Sequence, residues 1–279
     1  MNQQVGYCTD PMPLAFHHKS LTPREILWDG TKFLAAAGAI VVVLLIGSST
    51  LEYNWQWYRT PRYIFSWTEK GFSAGPLLKG LSVTLQISAI SLVLSCLFGL
   101  AAALLRLSRS FVAQAFARGY VELIRNTPLL VQLFFVYFVL SPVLGFGRFF
   151  SAVLTLSLFE GAYASEIFRA GIVSIHKGQW EAASSLGLNK FKTYRFIVLP
   201  QAIRRMLPPL ASQAISLVKD SALVSTIAIY DLTMKGQAII AETYLVFEIW
   251  FIVAAIYLAV TLTLSVLISM MEKHMAIIT

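Results

Sequence analysis

Two long apolar stretches carry ionisable residues within them: Glu160 and Glu166 in 149–170, Lys219 and Asp220 in 206–230. Burying an ion in hydrocarbon costs at least about 2.5–3.5 kcal/mol on the mildest scale, so such groups face a bundle interior or water and mark solute routes. On a helix, Glu160, Tyr163 and Glu166 are spaced by three and share a slowly turning face. Glu166 also lies three residues before Arg169, a spacing that suits an ion pair as well as it suits a carboxylate turned toward solute. Lys219 and Asp220 are adjacent, point about 100° apart and need partners on other helices. Either both brace the bundle, or Asp220 meets a solute ammonium while Lys219 anchors a carboxylate such as Glu166. The net acidic lining leans toward a cationic solute, while Lys219 and Arg169 are equally suited to a carboxylate. A further irregularity is Asn126-Thr127-Pro128: Pro128 has no amide proton and disfavours helix at Thr127. Backbone groups freed inside a bundle border a cavity. Glu122 and Arg125, three apart, read as a local ion pair.

The elements that must position these residues follow from composition. Of 279 residues 57% are hydrophobic and 13% charged, which excludes an ordinary soluble domain. Charge-free windows at 33–51, 80–105, 126–147 and 249–271 are each long enough to cross a bilayer. With 149–170 and 206–230 they predict six spans. The first window is preceded by 32 residues, longer than a signal peptide, so it reads as a retained anchor and not as a cleaved leader. A net charge of +8 would suggest a nucleic-acid partner in a soluble chain; in a membrane chain it reports topology. With both termini cytoplasmic, fourteen Lys and Arg fall inside and six outside, leaving Arg125 and Lys219 near or within spans. The external segment then carries Trp55, Trp57, Tyr58, Tyr63, Phe65 and Trp67, rings that suit the membrane–water boundary.

The same topology exposes a long basic loop, 171–205, to the cytoplasm. After Gly178, the run Gln179-Trp180-Glu181-Ala182-Ala183-Ser184-Ser185-Leu186 reads as a helix that Gly187 ends with a left-handed cap. Asn189 can cap a second helix, with Phe191, Tyr194 and Val198 on one face and Pro200 limiting its extension. Amphipathicity alone fits helices lying on anionic lipid through Lys190, Lys192 and Arg195, and fits docking to a protein equally well. Elsewhere the chain lacks the parts of an enzyme. There is no G-x-x-x-x-G-K-[ST] to cradle a nucleotide, no H-E-x-x-H and no carboxylate cluster at metal spacing. Cys8 and Cys96 are too few for a disulfide framework, and His17-His18 belongs to the polar amino-terminal tail.

Glu181-Ala182-Ala183, three residues, Gly187, nine residues, Ile197, one residue, then Leu199-Pro200 resembles the EAA loop of ABC importer permeases at every fixed position. Three further blocks, Glu122 to Gln132, Gly161 to Ile172 and Leu217 to Leu223, resemble the branch of that family that carries polar amino acids. The resemblance covers roughly residues 77 to 271. It implies an all-α integral membrane protein of about six transmembrane helices, a five-helix type I permease core plus an extra N-terminal helix. The organisation would be a cytoplasmic tail at 1–32, an added anchor at 33–51, an external segment at 52–76, the transmembrane domain at 77–271 with its coupling loop at 171–205, and a tail at 272–279. The resemblance implies a substrate pathway of Asn126, Thr127, Glu166 and Asp220, to which spacing and position add Glu160, Tyr163, Lys219 and Ser221. Trp180, Glu181, Ala182, Ala183, Gly187, Ile197, Leu199 and Pro200 would couple the loop to ATP hydrolysis. It further implies a bacterial inner-membrane location and several partners: an ATPase dimer that binds the ATP, a second permease subunit, identical or related, and an external amino-acid-binding protein. The chain itself needs no cofactor or metal, contacts membrane lipid and binds no nucleic acid. A secondary transporter or channel would also place carboxylates at the midplane, but it has no use for an elaborate coupling loop, and no inverted repeat relates the chain halves. An intramembrane enzyme would need a nucleophile paired with a base, for which only scattered serines are available.

Overall fold

The computed structural model describes residues 23–50, 53–68 and 71–275. Most of the two predicted tails, with Cys8, His17 and His18, lies outside the described residues. The chain divides into two compact units after Trp55. In the first, α1 (Pro23–Thr50) covers the predicted anchor and exposes Phe33, Leu34, Val41 and Val43, the surface of a helix suited to lipid.

The second unit opens with a 3₁₀ turn (Trp57–Arg59), α2 (Pro61–Ile64) and strands β1 (Phe65–Thr68) and β2 (Gly71–Ala74). The strands pair antiparallel, Phe65 opposite Ala74 and Thr68 opposite Gly71. This hairpin departs from the all-helical expectation in detail only; aromatic residues favour a pleated strand, and Gly71 at φ +102° serves the turn. Then come α3 (Pro76–Leu107), α4 (Phe111–Arg125), α5 (Leu129–Phe134), a π-helical segment (Phe135–Leu140), α6 (Ser141–Leu144) and α7 (Arg148–Val173). After them lie α8 (Lys177–Ser185), α9 (Lys190–Thr193), a second π segment (Tyr194–Val198), α10 (Leu199–Asp220), a 3₁₀ stretch (Ser221–Ile227), α11 (Leu232–Thr243) and α12 (Val246–Met275). Among the described residues, α3 and α12 are long and apolar enough to cross a membrane unaided, and α4 with α5–α6 forms a third such segment bent by 106°. α7 and α10 have the length but carry the intramembrane charges.

The axis of the bundle is the α3–α7 pair. Ser91 Oγ donates to the Val153 carbonyl, and Arg106 donates to Glu166. The sequence offset stays near 60 along the seam, 62 and then 60, so the two helices run parallel. Parallel neighbours need a return connection, and α4–α6 supplies it. Small residues let the backbones close up: a Cβ on Gly99 would stand 2.7 Å from the Ala164 Cβ and 2.9 Å from the Gly161 carbonyl oxygen. This is the small-residue packing by which helices associate in lipid, where apolar burial drives little.

Helix α4 lies between the predicted spans 80–105 and 126–147. It has three faces. Ala117 and Val121 are buried against protein, Val112, Phe116 and Leu123 are exposed and apolar, and Arg118 and Glu122 are exposed and polar. A helix lying where protein, lipid and water meet has this pattern.

Pro200 was expected to limit a helix, yet helix runs unbroken from Lys190 to Asp220. The π segment 194–198 ends two residues before Pro200. A proline ring clashes with the carbonyl four residues back in α-geometry, and a widened π turn relieves that clash and the missing donor together. The same arrangement recurs where the π segment 135–140 ends two residues before Pro142.

Candidate functional site

Three local constructions bring the sequence-predicted residues into place. The first is the break between α4 and α5. In an unbroken helix the amide of residue 128 would donate to the Ile124 carbonyl, and Pro128 has no proton to give. Gln132 replaces it: its Nε2 donates to Ile124 O at 2.7 Å, to Thr127 O at 3.0 Å and to Thr127 Oγ1 at 2.9 Å. Thr127 Oγ1 in turn donates to Leu123 O at 2.7 Å. Asn126 Nδ2 donates to Glu122 through both its backbone oxygen and Oε2. The expected Glu122–Arg125 pair is not formed, because Arg125 turns to α7 instead.

There it joins the second construction. Glu166 is held by three arginines: Arg106 at 2.6 Å, Arg169 at 3.1 Å and Arg125 at 3.5 Å. The arginines come from α3, α7 and α4, so one carboxylate ties together three elements. The Arg125 guanidinium also lies 5.3 Å over the Tyr163 ring. Only part of this was legible in the i, i+3 spacing of Glu166 and Arg169. Lys219 is exposed and is not the partner of Glu166, contrary to the expectation; the three guanidinium groups already fill the carboxylate. An open cleft of about 460 Å³ between α7 and α10 reaches Glu166, with Ala170, Ser174, Arg205 and Pro209 among its walls.

The third construction is an acid pair. Glu160 on α7 is 3% exposed, and its carboxyl group lies within interaction range of that of Asp220, the last residue of α10. The two carboxyl groups share a side-chain hydrogen bond, and Glu160 Oε2 finds no hydrogen-bond partner outside the pair. Glu160 and Glu166 stand about 120° apart around α7 and belong to two sites: the acid pair at one level and the arginine cluster six residues, about 9 Å, further along, with Tyr163 between them. Ser221 is buried and donates to the Val218 carbonyl at 2.7 Å, which commits its hydroxyl to the helix.

The loop beneath is built to be stiff. His176 caps α8 by accepting from the Gly178 amide at 3.1 Å, so the helix starts before Gly178 and not after it. Gly187 stands at φ +67°. The amides of Leu188 and Gly187 return to the carbonyls of Ala183 and Ser184, the bond pair that closes a helix with a left-handed glycine. Asn189 Oδ1 accepts from the Lys192 amide at 2.9 Å and caps α9. Trp180 packs edge-on against Tyr194 with centroids 5.2 Å apart, and Ala183 and Val198 are fully buried. Ile197 is half-buried. Glu181, Ala182, Leu199 and Pro200 are exposed, and Leu186 and Phe191 present apolar surface outward.

A family model described as "Binding-protein-dependent transport system inner membrane component" matches residues 95–277. The chain belongs to that family. This inner membrane component is 40% identical over 217 residues to the glutamine transport system permease protein GlnP of Escherichia coli strain K12, a match covering 77% of this chain and 99% of that protein. To the nopaline transport system permease protein NocM of Agrobacterium fabrum strain C58 it is 39% identical over 207 residues, covering 70% of this chain and 86% of the relative. Its fold superposes with a TM-score of 0.68 and 39% identity on the crystal structure of an amino acid ABC transporter with histidines, covering 71% of this chain and 94% of that one. The inward-facing MetNI methionine ABC transporter shares the fold at 18% identity and a TM-score of 0.60.

In this transport component, sequence reasoning missed Gln132, Arg106 and the place of Arg125. Gln132 had a readable signal: a proline inside a span orphans the carbonyl four residues earlier, and Gln132 is the donor one turn beyond. Arg106 had none, because its partner lies 60 residues away.

Proposed function

We propose that this chain is the transmembrane permease subunit of an ATP-driven importer for amino acids, with basic amino acids favoured. Membership of the family and the names of the relatives support the class of solute. The preference rests on one observation, the buried acid pair Glu160–Asp220, which among the described residues has no basic partner of its own beyond the neighbouring Lys219. Two carboxyl groups facing each other in a membrane interior are a receptor for a cation. The arginine cluster, six residues along α7, sets three guanidinium charges against the single Glu166 carboxylate, and this surplus positive charge favours a solute carboxylate nearby. A solute with an anionic head and a cationic tail suits both. In this reading Asn126, Thr127, Tyr163, Lys219 and Ser221 line the route beside these groups, and Glu166 acts by holding the arginines.

ATP is bound and hydrolysed by a separate ATPase dimer. The loop docks there through Trp180, Glu181, Ala182, Ala183 and Gly187, with Ile197, Leu199 and Pro200 carrying the push into α10. A second permease subunit, identical or related, completes the pathway, an external binding protein delivers solute, and both chain termini face the cytoplasm. Reconstitution tests the reading. Uptake of arginine or lysine into liposomes should require the ATPase, ATP and the binding protein together. Downhill flux through the purified chain alone would overturn it in favour of a channel or secondary carrier.

A further inference from the structure

A second cavity, of about 250 Å³, has a different character. It lies where α3, α4 and α7 meet, between Phe98, Ala101 and Leu105 on one side and Phe116, Tyr120 and Leu158 on the other. Its one polar atom, the Tyr120 hydroxyl, is already committed as donor to the Leu158 carbonyl at 2.6 Å. The walls therefore offer a polar solute nothing to bind. The cavity opens toward the bilayer: Phe116 is 74% exposed on the apolar face of α4, and Leu105 is exposed on α3.

The end of this groove beyond Leu105 is charged. There the chain turns through Ser108–Ser110 into α4, with Arg109 exposed on the turn. Gln114 ties the turn to the helix, donating through Nε2 to Ser108 O at 2.8 Å and accepting at Oε1 from Arg118 Nη2 at 2.9 Å. One amide side chain thus holds the Arg118 guanidinium close to the turn that carries Arg109. Among the described residues neither arginine has a carboxylate within ion-pair distance, whereas Arg106, Arg125 and Arg169 are all spent on Glu166. Ser108 Oγ, at the same turn, has no hydrogen-bond partner.

We propose that this groove is a binding site for an anionic phospholipid of the cytoplasmic leaflet, one acyl chain lying along Phe98–Leu105 and the headgroup phosphate meeting Arg109 and Arg118. From Phe98 to Leu105 is about 10 Å of helix, which suits part of an acyl chain. Charge complementarity selects the headgroup: the leaflet is anionic, and each basic residue near its surface contributes about a fivefold gain in affinity. The site is independent of which solute the transporter carries.

The test is lipid retention by the full chain purified with its partner subunits, read by native mass spectrometry after delipidation. Titration uses phosphatidylglycerol, phosphatidylcholine and inorganic phosphate separately. Phosphatidylglycerol should be retained over phosphatidylcholine by about 25-fold, the product of two basic contacts. Arg109→Gln with Arg118→Gln should abolish that preference while leaving weak retention of both lipids. Ala101→Phe, which fills the groove, should lower retention of both lipids. Equal retention of the two lipids by the unaltered chain, or stabilisation by phosphate alone equal to that by phosphatidylglycerol, would overturn the proposal. If the double arginine variant does not purify, unchanged retention in Ala101→Phe overturns it on its own.

Discussion

Replacing Gln132 by leucine is the most direct probe of the break at the start of the 126–147 span. The side chain donates to two backbone carbonyls, Ile124 O and Thr127 O, and to the Thr127 hydroxyl. Leucine has a similar volume and no donor. Each carbonyl left without a partner costs about 1–3 kcal/mol, so two give about 2–6 kcal/mol at most, and Ile124 O keeps a long bond of 3.4 Å from Thr127 Oγ1. Thr127 is only half-buried, which lets water reach one of them and places the expected loss at the lower end, about 2–3 kcal/mol. For a chain of this size that corresponds to a melting temperature lower by roughly 5–10 °C. Gln132→Glu should be worse, because it turns an anion toward three acceptors. The assay is thermal unfolding of the purified transporter with tryptophan fluorescence as readout. If the leucine variant melts within about 1 °C of the parent, or the glutamate variant is the more stable of the two, the account of the break is wrong.

Glu166→Gln and Glu160→Gln should separate the two acidic sites. The first strands Arg106, whose side chain is 14% exposed, and should cost about 3 kcal/mol with loss of assembled complex on size-exclusion chromatography; the second replaces one member of the buried acid pair by an amide that can still donate to Asp220, and should reduce uptake of cationic amino acids with no loss of thermal stability. A side chain at Gly187 would meet nothing within 4 Å, so Gly187→Asp should cost no more than about 1–2 kcal/mol from its left-handed backbone, yet should uncouple ATP hydrolysis from uptake by placing a charge on the docking face. Full uptake in that variant would remove the coupling role. Gly99→Leu forces α3 from α7 and should cost about 3 kcal/mol or more, seen as failure to accumulate in the membrane; normal accumulation would show that the seam is not tightly packed.

Four windows were legible because lipid enforces a simple rule, a run without charges, and two more because long apolar stretches surround their few ionisable residues; described helices fall on all six. Local signals were legible for the same kind of reason. Gly187, Asn189 and the Asn126-Thr127-Pro128 break each follow from backbone chemistry within a few residues. What escaped depends on distance along the chain. Nothing near Glu166 announces that Arg106 will reach it from a parallel helix, and Lys219 looked like its partner only because both sit in apolar runs. Pro200 misled because a proline ordinarily stops a helix, and only a widened turn before it allows the chain to continue.

That continuity gives the loop mechanical reach. From Lys190 to Asp220 the chain is one rod of about 45 Å at the usual rise per residue, anchored below among the residues under α8 and tipped above by an acid. Pro208 and Pro209 lie inside its upper part, about eleven residues or 17 Å from the tip. A bend of about 5° at that pair displaces the Asp220 backbone by about 1.5 Å, half the length of a hydrogen bond. A small tilt at the far end of this helix is therefore enough to change the gap between Asp220 and Glu160, so the spacing of the acid pair is set by leverage along a single helix.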